Sequence, residues 1–430
     1  MKLLRATALY LCAIALHAGA QEPKPASEAK ADWFTLHRAG IAAFDSDRHA
    51  EALANFETSL PLAQTREQNA ITLVEIGYCL GELRRDAEAV EQLEKALTAW
   101  RSIDATGSWA AETAARLANE QRRVSQYVQA ERTLRLALGA KPRDDASAAA
   151  LLNVLGNLIT DQARYAEARQ AFETALRLSP GQSRNRLFAL IGLGDVERLT
   201  RQWQPAVTHL NEALAVSRSV ENGGWEPVAL RGLGVTYSEM GDTARAEPLL
   251  RRALARFEAT PALSTQYAET LVALGTVYAQ DRKPALAEEA FNRALKTSQG
   301  IAADDSVTAQ TLQLLAALLV RENRFPEAVE YAKRAFQIAQ ATLGEVGPSV
   351  ASALGGIAFV EAKSGDFHDA EKHFGEALRM LREIGLDNSD VSCLLMTQYA
   401  SVLRKLHKRA EAKDLEAQAK AFRSATPAPR

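Results

Sequence analysis

The stretch Ala168-Arg-Gln-Ala-Phe172-Glu-Thr-Ala175 places a large apolar side chain four residues after an alanine and a second alanine three residues further on. On a helix these positions share one face. The first alanine recurs, in similar settings, at Ala52, Ala89, Ala130, Ala168, Ala206, Ala246, Ala287, Ala328, Ala370 and Ala412, at intervals of 37 to 42 residues. Twelve residues before each stands a small residue: Gly40, Gly77, Ala118, Gly156, Gly194, Gly234, Gly275, Ala316, Ala358 and Ala400. A period of this length means a solenoid or array.

Around the small residues lie apolar stripes of helical spacing, as in Leu152-Leu155-Ile159 and Leu271-Leu274-Tyr278. A small residue there lets two helices cross closely. Polar breaks separate the two helices of a unit at Asp45-Ser-Asp47, Gly241-Asp242, Glu322-Asn323 and Gly365-Asp366. Stronger stops fall between units at Lys141-Pro142, Ser179-Pro180-Gly181, Asn222-Gly223-Gly224, Thr260-Pro261, Gly347-Pro348 and Asp387-Asn388. No alternating segment rich in valine or isoleucine suggests a strand. The expected fold is all-α, a solenoid of about ten antiparallel helix pairs over residues 32–423.

These residues resemble the tetratricopeptide repeat. Leu233, Gly234, Tyr237, Ala246, Leu250 and Ala253 match all six marker positions of that family, and Leu274, Gly275, Tyr278, Ala287, Phe291 and Ala294 do so again. The spacing of about 40 residues is similar to the kinesin-light-chain type of repeat, as is Leu343-Gly344 followed by Pro348, Val350 and Ala351. The resemblance implies a right-handed superhelix that binds a protein or peptide on its concave face. It also implies that repeat positions 2, 5, 6, 9, 12 and 13 of the first helix point inward. The candidate binding residues are then Arg116, Asn119, Arg122, Asn153, Asn157, Phe188, Arg198, Arg231, Val235 and Phe359. Arginine forks suit carboxylates, so an acidic or C-terminal-carboxylate segment is the expected ligand. An accessory subunit that binds a polymer, in envelope polysaccharide or secretion machinery, is the alternative.

Composition narrows the function further. The 430 residues carry 51 Lys and Arg against 53 Asp and Glu. That balance lacks the basic footprint of a nucleic-acid binder. Hydrophobic residues make up 47%, which excludes intrinsic disorder. Gly192-Leu-Gly194 and Gly232-Leu-Gly234 begin like a dinucleotide fingerprint but lack its third glycine and its preceding strand. Neither a nucleophile elbow nor a phosphate-binding loop occurs. No enzyme, cofactor or metal is expected. The histidines beyond the leader, His37, His49, His209, His368, His373 and His407, read as solvated or half-buried. Cys79 and Cys393 read as small buried hydrophobes, and no disulfide between them is expected.

The chain opens with Met1-Lys2-Leu3-Leu4-Arg5, an apolar run from Ala6 to Leu16, and Ala18-Gly19-Ala20. This is the pattern of a secretory signal peptide over residues 1–20, too short to span a bilayer. Its removal leaves 49 basic against 53 acidic residues and places the protein in a secreted or periplasmic location. Residues 21–31 read as a polar linker and 424–430 as a disordered tail. No transmembrane segment is expected in the mature chain.

Overall fold

The structure, a computed structural model, describes residues 32–220, 224–258, 264–300, 305–343, 347–387 and 389–425. The leader, the linker and the last five residues of the chain lie outside them. So do the stops at 222–223, 260–261 and 388. Residues 424 and 425 are helical rather than part of a tail. The described residues form 20 α-helices, one short 3-10 turn and no strand. They divide into two compact units, up to Val196 and from Glu197.

In the first unit the helices are α1 (Trp33–Asp45), α2 (His49–Ser59), α3 (Arg66–Glu82), α4 (Asp86–Asp104), α5 (Ser108–Arg123), α6 (Tyr127–Gly139), α7 (Asp145–Asp161) and α8 (Tyr165–Arg177). Next comes α9 (Arg184–Leu199), whose residues to Val196 belong to the same unit. The second unit continues with α10 (Trp203–Ser217), α11 (Glu226–Glu239), α12 (Thr243–Phe257), α13 (Ser264–Gln280), α14 (Pro284–Gly300), α15 (Asp305–Arg321), α16 (Phe325–Leu343), α17 (Pro348–Ser364), α18 (Phe367–Glu383), α19 (Asp390–Lys405) and α20 (Arg409–Ala425). Within each unit the odd-numbered helices of neighbouring pairs touch, as α5 touches α7 and α13 touches α15. They therefore form one layer and the even-numbered helices another.

Local chemistry starts these helices. Asp32, Thr65, Asp144 and Ser389 each accept a hydrogen bond from a backbone N–H of the first turn of α1, α3, α7 and α19. Gln68 completes a capping box with Thr65. Gly347 and Pro348 open α17, the proline standing where a missing N–H costs nothing.

The packing is one motif repeated. All ten marker alanines are buried, nine of them completely. Phe56, Leu93, Phe172, Leu250 and Phe291, four residues after a marker, lodge against Gly40, Gly77, Gly156, Gly234 and Gly275. A Cβ on any of these glycines would lie 2.6–2.7 Å from that side chain. Phe172 is also pressed by Gly192 of the next pair, which explains one glycine pair that resembled a nucleotide fingerprint. Position 6 of the first helix is thus filled from behind there, rather than open toward a ligand. In the third and ninth pairs Ala118 and Ala358 replace glycine, within the clusters of Leu134 and Phe374.

The turn inside each pair is equally uniform. Five residues before every marker alanine the backbone is left-handed: Asp47, Arg84, Ser125, Ala163, Arg201, Gly241, Arg282, Asn323, Gly365 and His407. The next residue donates its N–H to the carbonyl five positions back, as Arg85 does to Leu80 and Arg164 to Ile159. This is the Schellman closure of a helix. Only two of these ten residues are glycine.

Candidate functional site

The candidate residues lie on the odd-numbered helices, and each unit presents its own set. In the first unit the Arg116 guanidinium stands over the Tyr78 ring, 4.4 Å from its centroid. Its Nε is 3.0 Å from Glu120 Oε1 and its Nη2 is 3.8 Å from Glu82 Oε1. Arg122 donates to Asp161 at 2.8 Å. Asn153 is buried, and its Nδ2 donates to the Asn185 carbonyl at 2.9 Å, while Asn185 donates back to the Ala146 carbonyl at 2.7 Å. These amides clip α7 to α9. Asn119 is half-buried and Asn157 exposed. Phe188 is half-buried, with the Arg184 guanidinium 5.9 Å from its ring centroid.

In the second unit Arg198 pairs with Glu239 at 2.7 Å and Arg231 with Glu269 at 2.9 Å. Val235 and Phe359 are half-buried against the cores of their own pairs, and the Lys363 ammonium lies 5.5 Å from the Phe359 ring centroid. The Arg122–Asp161 and Arg198–Glu239 pairs join the same two repeat positions, 12 and 13, of neighbouring first helices. In each unit an arginine is therefore matched to a carboxylate of the neighbouring first helix instead of standing in a bare basic stripe. Partly exposed pairs of this kind contribute little stability, about 0–1 kcal/mol each, so their forks can exchange partners.

A second feature of the first unit was not singled out from the sequence. Glu75 on α3 is 3% exposed, and its Oε2 has no hydrogen-bond partner among the described residues. Burial, then the carboxyls of Glu112 and Asp45, push it up to about 8. Burial pushes Glu112 on α5 up to about 7, against the pull of Arg184. The Tyr78 phenol is raised too, by burial and then by Glu112. The signal was present in the sequence as a lone acid inside the apolar run Ile71-Thr-Leu-Val-Glu75-Ile-Gly-Tyr78.

His37 departs from the expected half-solvated state: it is 1% exposed, stacked on Trp33, and burial lowers it to about 4. His209 and His373 are held by Glu197 at 2.8 Å and Glu361 at 2.7 Å. Both pairs join positions 11 and 23, where Gln121 and Thr133 make the equivalent contact in the third pair. Cys79 and Cys393 are buried thiols, Cys393 donating to the Ala419 carbonyl at 3.5 Å, and burial pushes the Cys79 thiol up to about 12. Among the described residues no group of three or more His, Cys, Asp or Glu side chains is placed to hold a metal. No described helix is long and apolar enough to cross a membrane.

The comparisons with known proteins agree with this architecture. A tetratricopeptide repeat family model matches residues 147–219, 189–259, 266–341 and 349–425, together more than half of the chain. No curated protein matches it in sequence. Among solved structures, a Rap protein complexed with competence and sporulation factor is similar in fold, with a TM-score of 0.57 at 13% identity over 84% of this chain and 99% of that one. A tetratricopeptide repeat protein from Parabacteroides merdae ATCC 43184 gives 0.48 at 15% identity, covering 67% of this chain and 98% of that one. BtubC (BKLC) from P. vanneervenii gives 0.43 at 21% identity, covering 54% of this chain and 94% of that one. With its ten buried alanines, its ten left-handed turns and a family model that matches more than half of its length, the chain belongs to the tetratricopeptide repeat family.

Proposed function

We propose that this protein is a non-enzymatic scaffold that holds a protein or peptide against the layer of first helices, in an extracytoplasmic compartment. The observation that carries the reading is the pairing of guanidinium with carboxylate between neighbouring first helices in each unit, Arg122 with Asp161 in the first and Arg198 with Glu239 and Arg231 with Glu269 in the second. An acidic segment can take the place of Asp161, Glu239 or Glu269 at an arginine fork, trading one charge-assisted contact for another. The Rap protein of similar fold, complexed with a factor, supports protein binding as the mode. The extracytoplasmic placement rests on the leader-like residues 1–20, and cleavage after Ala20 is its test by N-terminal sequencing.

The binding experiment is an affinity capture with residues 21–430 as bait and identification of partners by mass spectrometry. Arg198→Glu with Arg231→Glu should lose the principal partner by several kcal/mol, because attraction becomes repulsion. Capture by the wild type should weaken with added salt. An unchanged partner profile from a double variant of normal helicity overturns the acidic-ligand reading. A second reading, a polymer-binding accessory subunit, is favoured by one observation: a cavity in the first unit whose wall is a pair of stacked tryptophans.

A further inference from the structure

That cavity has a volume of about 470 Å³ and lies where α3, α5 and α7 begin and α4 ends, and none of its lining residues belongs to the arginine–carboxylate pairs. Glu67, Trp100, Asp104, Trp109, Arg143 and Asp144 line it. The sequence organises it locally. Asp104, at the end of α4, accepts hydrogen bonds from Thr106 N at 3.1 Å and Thr106 Oγ1 at 3.0 Å. Arg143 then ties two connections together, its N–H donating to the Thr106 carbonyl at 3.0 Å and its guanidinium pairing with Asp104 at 2.9 Å. The walls are therefore set before any ligand arrives.

Trp100 and Trp109 stack face to face, with centroids 5.5 Å apart and planes 9° apart. Trp100 is 4% exposed, and its Nε1–H meets no acceptor among the described residues. Trp109 is half-buried, so its indole forms part of the open wall. The polar groups around it are held in place. Arg143 neutralises Asp104, Asp144 caps α7 through Ser147 at 2.7 and 2.8 Å, and Glu67 sits in the first turn of α3, where the helix dipole favours an acid. The lining carries three carboxylates and one guanidinium, so it offers both acceptors and donors. The lone pairs of the carboxylates remain available, since a carboxylate offers about four acceptor sites.

The geometry points to a neutral, hydroxyl-rich ring as the occupant: one sugar residue of a glycan, with its apolar face on Trp109 and its hydroxyls on Glu67, Asp144 and Arg143. Hydroxyls both donate to carboxylates and accept from the guanidinium, which a cation or an anion alone cannot do. An aromatic platform with a few placed polar groups is the ordinary design of a small-ligand pocket. This site deepens the polymer-binding reading and shares no residue with the arginine–carboxylate pairs, so its failure leaves the protein-binding reading standing.

The test is titration of the full mature chain, with nitrogen-15 in its tryptophan indoles, against methyl β-glucoside, maltose, cellobiose and diacetylchitobiose in millimolar excess. At least one sugar should shift the Trp100 and Trp109 indole signals saturably and leave those of Trp203 and Trp225 in place. Trp109→Ala should weaken that response roughly tenfold, the stacking contribution of one ring, with Trp100 as the remaining reporter. Trp109→Phe keeps a platform and should retain most of it, which separates lost stacking from lost folding. No shift with any of the four sugars overturns the proposal. So does an unchanged response in Trp109→Ala. A shift with N-acetylargininamide in place of the sugars overturns it too, and makes the cavity a seat for a basic side chain.

Discussion

Glu75 in the first unit and Glu226 in the second are both buried carboxyls on the first helix of a pair, 3% and 7% exposed. Glu226 is ringed by Arg218, Arg252 and Arg256 at 3.4–3.7 Å. The other buried carboxyls of the second unit, Glu197 and Glu361, each hold a histidine. Among the described residues Glu75 has no base within ion-pair distance, although Glu120 in the same unit is paired with Arg116 and Arg123. The two units share one helix-pair template, so the template does not decide how buried charge is handled. A lone buried carboxyl is tolerated by holding its proton, and a matched one by a fixed counter-charge.

The largest expected effect follows from that contrast. An unfolded glutamic acid releases its proton near 4.5, whereas Glu75 in the fold holds it to about 8. The folded state binds the extra proton between these values, so stability is full below about pH 4.5 and falls as the pH rises to about 8. The loss from this group is on the order of 3–5 kcal/mol. Glu75→Gln has no proton to lose and should flatten most of the slope, leaving a smaller one from Glu112. Denaturant unfolding at about pH 5 and about pH 9, with hydrogen exchange to separate the units, measures this. Equal slopes in wild type and Glu75→Gln would remove the distinction between the units.

The next effect asks what the units have in common. Gly156→Leu in the first and Gly234→Leu in the second force a side chain into Phe172 and Leu250. Overpacking of this kind costs about 1–3 kcal/mol, and it should be similar in both units if the crossing is one motif. Arg252, an outward position by repeat register, is a poor control because it approaches Glu226 at 3.6 Å. Exposed Gln170 serves instead, and Gln170→Leu should change stability by under about 0.5 kcal/mol. Matching denaturation midpoints for Gly156→Leu and Gln170→Leu would sink the packing assignment.

The smallest effect probes the shared turns. Ala163 and Arg282 sit at φ 58° and 56°, where a side chain is strained, one in each unit. Glycine relieves that strain, about 1–2 kcal/mol, but adds unfolded-state entropy worth about 0.4–1 kcal/mol. Ala163→Gly and Arg282→Gly should therefore each raise stability by about 0.5 kcal/mol, and Gly241→Ala should lower it. Thermal midpoints that move the other way would show that the turn is set by something besides backbone conformation.

The marker alanines, the small residues twelve positions before them and the aromatic or leucine four positions after were legible in the chain because each is a requirement of volume at a crossing. Volume is a property of residue type. The same holds for Pro348 at a helix start. The left-handed turns were only partly legible. Gly241, Gly365 and Asn323 announce them, while Arg84, Ala163, Arg201 and Arg282 do not, because their conformation is imposed by the two helices they join. The candidate arginines were readable as positions on a face but not as members of pairs. Arg122 meets Asp161 and Arg198 meets Glu239 across 39 and 41 residues of sequence, and a partner at that separation exists only once neighbouring first helices lie side by side. Glu75 is the same case inverted: the chain shows an acid among apolar residues, and only the packed fold leaves it without a base among the described residues. Sequence by itself determined the repeat, its length and its close-packed crossings, since these depend on local periodicity and size. Charge pairing, the stacked tryptophans and the buried proton depend on which residues the fold brings together, and tertiary structure alone decided them.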